Sequence, residues 1–507
     1  MRVSFISIFA SIRLLLSAAL PRWGLFLFFS FFFLICSETS SAGALHRLRF
    51  DHFSIDQGLP STGIMTVYQT QNGYVWIGTA NGLARFDGRH IRSFSNSPDV
   101  LQTLSHSRVF SLYEDQEKYL WVGTRRGLDR LTLANDTVDR MVLPAEIAPK
   151  ARTVYAIARA GEESLWLASA GGLLKLDTRT GKIIRSVDAL TGRAFGVGEV
   201  RTLVSDGAEG IWFAQGNQVF HLDRHETVMQ VLDVAKHRGA QHLSSLEQMV
   251  RSLALTPQGR LWVGLNGGLL AWQRNADTGL MSVFELPSQL QVPRAAVAAI
   301  LQDHEQAVWL AFGDDQGLFR WREKQLSLEH FVHLPSVESS LSGNSLTSLM
   351  LDASGGLWIG STDYGANLVD LKGRGFSTYL HIPGDEKSLS HQLVSAVLPD
   401  DADFAWVGTL GGGLNYVNLK NGDTRRIPLA EVGVDFIRMI VRDDRRRLWI
   451  GGEALHVYDP QTRQSQAVIS KQSLPPGARV TAVAFEANGE AWAASSVGLY
   501  RIKICQQ

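Results

Sequence analysis

The feature that most constrains this chain is a phrase that returns ten times. It first reads "GYVWIGTANGLARFDG" (Gly73 to Gly88). It returns as "YLWVGTRRGLDRL" at Trp121, "SLWLASAGGLLKLD" at Trp166, "GIWFAQGNQVFHLD" at Trp212 and "RLWVGLNGGLLAW" at Trp262. Then come "AVWLAFGDDQGLFRW" at Trp309, "GLWIGSTDYGANLVDL" at Trp358, "FAWVGTLGGGLNYVNL" at Trp406, "RLWIGGEALHVYDP" at Trp449 and "EAWAASSVGLYRI" at Trp492. The ten tryptophans stand 43 to 50 residues apart, and the chain has only 13 in all. A fixed period in this range means a propeller, a solenoid or an array.

The pattern inside the period decides among these. Most tryptophan strands are preceded by an apolar run such as "VFSLYED" (Val109 to Asp115), "VRSLALT" (Val250 to Thr256) or "LVSAVLPD" (Leu393 to Asp400). A Gly-containing turn and a third run such as "GLARFD" follow, and a weaker fourth such as "IRSFS" (Ile91 to Ser95) completes the unit. Short runs rich in Val, Ile, Leu, Phe and Trp, punctuated by Gly, Asn and Asp, are strands and hairpins. Four antiparallel strands in about 45 residues make one propeller blade. The i, i+3, i+4 spacing of a helical repeat is missing.

In "VWIGT", Val75 and Ile77 face one side and Trp76 the other. A strand apolar on both faces belongs to a sheet packed between two neighbours. Gly78 leaves room for close backbone approach, and Gly82 suits a turn needing positive φ. A buried tryptophan hides roughly 150–250 Å², about 4–6 kcal/mol of gross burial. The ten tryptophans are therefore expected to be core, not a stacking platform for bases or sugars.

The chain has 507 residues, enough for a large core or several. Lys plus Arg equals Asp plus Glu at 49 each, so nothing electrostatic argues for nucleic acid. Arg2, Arg13 and Arg22 flank apolar segments, and Trp23 to Cys36 form an apolar stretch of 14 residues. "SETSSAGA" then ends in Ala42-Gly43-Ala44. This predicts a signal peptide over 1–44, cleaved after Ala44, and a periplasmic or secreted protein. The alternative is an uncleaved anchor that also uses "FISIFASIRLLLSAAL". Cys36 and Cys505 are the two cysteines, so a mature chain without Cys36 has no intrachain disulfide.

Propellers usually have about 4–8 blades, so ten repeats are expected to divide. The fold expected is all-β: one seven-bladed ring over 45–371, and about three blades of an incomplete second propeller over 372–507. The segment "HRLRFDHFSI" (His46 to Ile55) reads as the fourth strand of a blade, placed to close the first ring. Three blades leave sheet faces open, which favours association, a homodimer included.

The phrase "D-x-x-G-x-L-W-h-G-T-x-x-G-L-x-x-h-D", with h apolar, resembles the two-component regulator propeller repeat; Trp76, Trp121, Trp262, Trp358 and Trp406 mark its nearest copies. "LSHSRVFSLYED" (Leu104 to Asp115), "LSGNSLTSLMLD" (Leu341 to Asp352), "LSHQLVSAVLPD" (Leu389 to Asp400) and "FSIDQGLPSTGIMTVYQT" (Phe53 to Thr70) are similar to that family too. The resemblance implies the periplasmic sensor region of a membrane receptor whose output is a histidine kinase or a diguanylate cyclase. It also implies about fourteen repeats, an immunoglobulin-like module and a transmembrane helix. The ten repeats stop short of that, so the expectation is an input region without output chemistry, joined to a membrane only through an uncleaved signal or a missing C-terminal part.

The paired carboxylates of "GDDQG" (Gly313 to Gly317) and "DDADF" (Asp400 to Phe404) fall at turns, where Asp is favoured for local hydrogen bonds over metal ligation. "RDDRRR" (Arg442 to Arg447) reads as a surface charge cluster, and His106 and His391, at matching positions, as structural. Neither H-E-x-x-H, G-x-S-x-G nor a P-loop is present, and no cofactor is called for. The turns after the tryptophan strands vary most, and variable turns on a regular scaffold carry binding specificity. Arg125, Arg126, Asn266, Asp315, Asp363 and Tyr364 are the candidates to contact a small molecule or oligosaccharide. The alternatives are a secreted propeller enzyme, lyase or hydrolase, and a protein-interaction scaffold.

Overall fold

The computed structural model describes residues 48–503, except 98, 101, 142–151, 188–197, 208–209, 276–277, 373–378, 421 and 487–489. The expected signal segment, Cys36 and Cys505 lie outside the described residues. Among those described, the strands form nine four-stranded antiparallel sheets and one three-stranded sheet, one for each tryptophan phrase.

Each sheet is one blade with consecutive strands side by side. Blade 2 runs Val109–Glu114, Tyr119–Thr124, Gly127–Thr132, Thr137–Met141. Blade 7 departs from this order. Its three own strands, Leu346–Leu351, Gly356–Ser361 and Ala366–Asp370, take their fourth from Phe50–Phe53 at the other end of the chain. Phe50 pairs with Val369 and Phe53 with Ala366. The expectation for "HRLRFDHFSI" therefore holds.

The first strands of blades 1 to 7 touch in cyclic order, and blade 7 (Leu346–Leu351) meets blade 1 (Ile64–Gln69), so seven blades close a ring. The tryptophan is the knob that joins each blade to the next. Trp121 of blade 2 packs on Val154, Leu165, Leu167 and Leu176 of blade 3. Trp358 of blade 7 packs on Ile64, Val67, Val75 and Ile77 of blade 1, the last joint of the ring. Gly78 fits this plan: a Cβ there would come within 2.7 Å of Val109 of the next blade. Gly82 has φ +135°, as its turn requires.

Blades 8 to 10 continue the same joinery. Trp406 packs on Ile440, Leu448 and Ile450 of blade 9, and Trp449 on Val480, Ala491 and Ala493 of blade 10. Trp492 has no following blade among the described residues and is only half-buried. Val394 and Val397 at one end of this arc, and Phe485 and Leu499 at the other, are exposed.

Candidate functional site

The repeat fixes two acceptors that hold the scaffold. Six residues before most tryptophans stands an acidic or hydroxyl residue at a turn. Asp115 Oδ2 accepts the Trp121 indole N–H at 2.7 Å, while Oδ1 accepts the Tyr119 backbone N–H. Asp303, Asp352, Asp443, Glu486 and Thr70 receive the indoles of Trp309, Trp358, Trp449, Trp492 and Trp76 in the same way. This corrects the reading of "RDDRRR" as surface charge alone: Asp443 is half-buried, holds Trp449 and pairs with Arg447. The second acceptor lies on the third strand. Asp129, Asn367 and Asn415 receive the backbone N–H groups of Ser105, Ser342 and Ser390, which explains the recurring Leu-Ser of the connecting phrases.

The other singled-out residues also fall into local roles. His106 and His391 use Nδ1 to accept the backbone N–H two residues on, at Arg108 and Leu393. In "GDDQG", Asp314 accepts the Ala296 N–H and Asp315 accepts the Ser345 hydroxyl. In "DDADF", Asp400 accepts the Tyr416 phenol and pairs with Arg442, and Asp401 caps its own turn. No group of three His, Cys, Asp or Glu suited to a metal is found among the described residues.

One end of the ring gathers what is left. In all seven blades the first strand starts beside the turn that ends the tryptophan strand, as Val109 opposite Thr124 shows, so these turns share one face. Each first strand also carries a β-bulge one residue in. Bulges re-aim a side chain, and here they set one residue per blade at the mouth of the ring. In blades 2 to 5 these are Phe110, Tyr155, Arg201 and Arg251; in blades 6, 7 and 1 they are Ala298, Thr347 and Met65. Period and turn signals alone did not reveal the bulges. Their repeated offset after each connecting phrase is a signal that aligned repeats carry.

The six expected binding residues are all in these turns. Arg125 and Arg126 are exposed in blade 2, and their side chains make no hydrogen bond or ion pair among the described residues. The backbone of Arg125 is fixed on both sides: its N–H donates to Arg108 O, and its carbonyl accepts the Thr153 hydroxyl of blade 3. Asn266 donates its amide to Leu246 O, and Asp315 is engaged with Ser345. Tyr364 is exposed, its ring lying over Gly343, where a Cβ would stand 2.3 Å from the ring. Asp363 is exposed beside it.

The electrostatics of the face differ from blade to blade. Burial, then Arg126, Arg125 and Arg108, hold the His106 imidazole below its ordinary pKa, so it is neutral at pH 7 and adds no charge. Tyr155 donates to Glu199, and burial together with that carboxylate pushes its phenol up to about 12. Phe110 meets Tyr155 edge-on at 5.4 Å between centroids, and the Arg201 guanidinium covers Tyr155 at 5.2 Å. Arg201 is paired with Glu199 at 3.0 Å.

Repeating blades that close with a borrowed strand define a β-propeller. A sequence profile described as two component regulator propeller matches residues 58–81, 103–126 and 340–363, and the chain carries repeats of that family. It is similar in fold to a crystal structure from B. thetaiotaomicron named as the extracellular domain of a hybrid two component system. The TM-score is 0.70 at 20% identity, covering 91% of this chain and 60% of that one. A second B. thetaiotaomicron extracellular domain, named as that of a one component system, gives 0.52 at 19%, covering 90% of this chain and 59% of that one. The chain thus spans about three-fifths of the length of these domains. No curated protein matches the sequence.

Proposed function

We propose that the chain is the ligand-binding input region of a signalling receptor outside the cytoplasm, acting by recognition rather than by chemistry. The observation that carries this is the single face on which seven variable turns and seven bulge residues meet over a closed, rigid ring. Sites built on such scaffolds are precise because the blades cannot shift singly. The family repeats and the likeness to extracellular domains support this reading. In it, residues 1–44 are the export signal, 45–371 the binding ring and 372–507 three blades of a second propeller. The ligand is a small molecule or an oligosaccharide, met by Arg125, Arg126, Asn266, Asp315, Asp363 and Tyr364.

The test is a thermal-shift screen of a small-molecule and oligosaccharide panel, followed by titration of the six alanine variants. A hit that raises the melting temperature saturably and weakens in at least one variant supports the reading. A hit bound equally by all six, with folding intact, places the site elsewhere.

A further inference from the structure

The binding face is chemically lopsided, and this deepens the reading just given, on which it rests. On blade 6 its carboxylates are spent on the fold: Asp314 holds the Ala296 N–H and Asp315 the Ser345 hydroxyl. On blade 2 the reverse holds. Arg108 donates its backbone N–H to His106 Nδ1, Arg125 donates its own to Arg108 O, and Arg126 follows in the same turn; none of the three has a carboxylate partner among the described residues. Other arginines of the ring do find acids, as Arg85 and Arg92 do with Asp136, Arg260 with Glu323 and Arg294 with Glu247, and a lone exposed arginine such as Arg251 lacks one; blade 2 differs in holding three acid-free arginines side by side. Unpaired arginines drawn together repel one another and are costly to hold without an anion.

An edge-on pair of aromatic rings lies next to this charge. Tyr155 stands on the following blade, within electrostatic reach of Arg125, and Phe110 packs against its ring. The phenol is already committed to Glu199, so Tyr155 offers its ring face rather than its hydroxyl. Arg201 closes the far side and is neutralised by Glu199. Guanidinium groups bind carboxylates and sulfates in bidentate fashion, and an aromatic face takes the flat side of a ring.

We infer that the mouth of the ring at blades 2 and 3 is a site for a small organic anion: a carboxylate or sulfate held by Arg125, Arg126 and Arg108, on a ring that stacks against Tyr155 and Phe110.

The experiment uses the whole chain and three probes: benzoate, its neutral isostere benzamide, and inorganic sulfate, titrated calorimetrically at constant ionic strength. Benzoate is expected to saturate and benzamide not. The R125Q/R126Q variant is expected to lose about tenfold or more in benzoate affinity, the worth of a charged hydrogen-bonded contact. Sulfate is expected to compete with benzoate, and Tyr155→Ala to weaken benzoate while sparing sulfate. Arg125 and Arg126 are exposed and Tyr155 is half-buried, and an unchanged melting temperature checks that each variant folds. Equal binding of benzoate and benzamide, indifference to R125Q/R126Q, or no saturation by any probe overturns the anion site. The wider binding-face reading is untouched by these outcomes and falls only on its own six alanine variants.

Discussion

At the scale of single residues, the polar groups buried by the repeat are the ones with measurable consequences. Asp129 is fully buried, and burial pushes its carboxyl up to about 6 although Ser105 hydrogen-bonds it. A raised carboxyl pKa means the folded state holds a proton that the unfolded chain releases near 3.8. Its contribution to stability therefore falls as pH rises from about 4 to about 6, and stays low above that. Blades 7 and 8 have Asn at this position, and Asn415 donates to Val407 O and Ser390 Oγ. Asp129→Asn is expected to stabilise the protein by on the order of 1–3 kcal/mol at pH 8 and to lose that advantage at pH 4. Urea denaturation at the two pH values measures it. Asp115→Ala should cost about 1–3 kcal/mol by orphaning the Trp121 indole and the Tyr119 N–H. Asp115→Asn, which keeps one acceptor, should cost less, and the two melting curves compare them. The sequence displayed Asp115 as part of a phrase but not its bond to the indole, because a residue six positions from its partner meets it only once the hairpin has folded. His106 and His391 were legible as structural from matching position alone; the actual bond, Nδ1 to a backbone N–H, was not.

At the scale of elements, the blades were legible because two periods coincide: alternation within a strand and recurrence of Trp between strands. The borrowed strand Phe50–Phe53 was legible because "HRLRFDHFSI" is a fourth strand without its first three. Contacts between blades were not legible, since they join positions that share no local pattern. Arg85 lies opposite Trp76 in the hairpin, covers its ring at 5.6 Å and reaches Asp136 of blade 2 at 2.6 Å. Lys175 repeats this over Trp166 with Glu226 of blade 4. A cation thus clips one blade's tryptophan to the turn of the next. Trp121→Ala is expected to cost about 3–5 kcal/mol and to lower soluble yield, read by chemical denaturation. Deleting residues 45–54 removes the fourth strand of blade 7 and exposes the edge of Ala366–Asp370. The ring should then melt well below the full chain in calorimetry, while a deletion upstream of residue 45 should leave that transition in place.

At the scale of the whole molecule, the closed ring and the open arc differ in what their last faces do. Every blade of the ring has two neighbours. In the arc, blade 10 shows Leu499 and Phe485, and blade 8 shows Val394 and Val397. The chain is expected to melt in two steps, the arc first, because cooperativity follows the number of buried joints. It is also expected to self-associate through these faces; sedimentation of a variant carrying Val397→Lys and Leu499→Lys should show less association than the parent. The ten sheets were legible from the tenfold recurrence of the tryptophan phrase. The cluster of acid-free arginines at the blade 2 turn was not, since it depends on which arginines lack an acid in space. The borrowed strand has one more consequence, in time rather than in space. Phe50–Phe53 is made among the first described residues, yet its partner Ala366–Asp370 comes near the end of the ring. At ~5–20 residues per second of synthesis, the first strand waits on the order of tens of seconds with its edge unpaired. A ring that closes last is open to other strands until then, and how well this protein is produced will depend on what guards that segment in the interval.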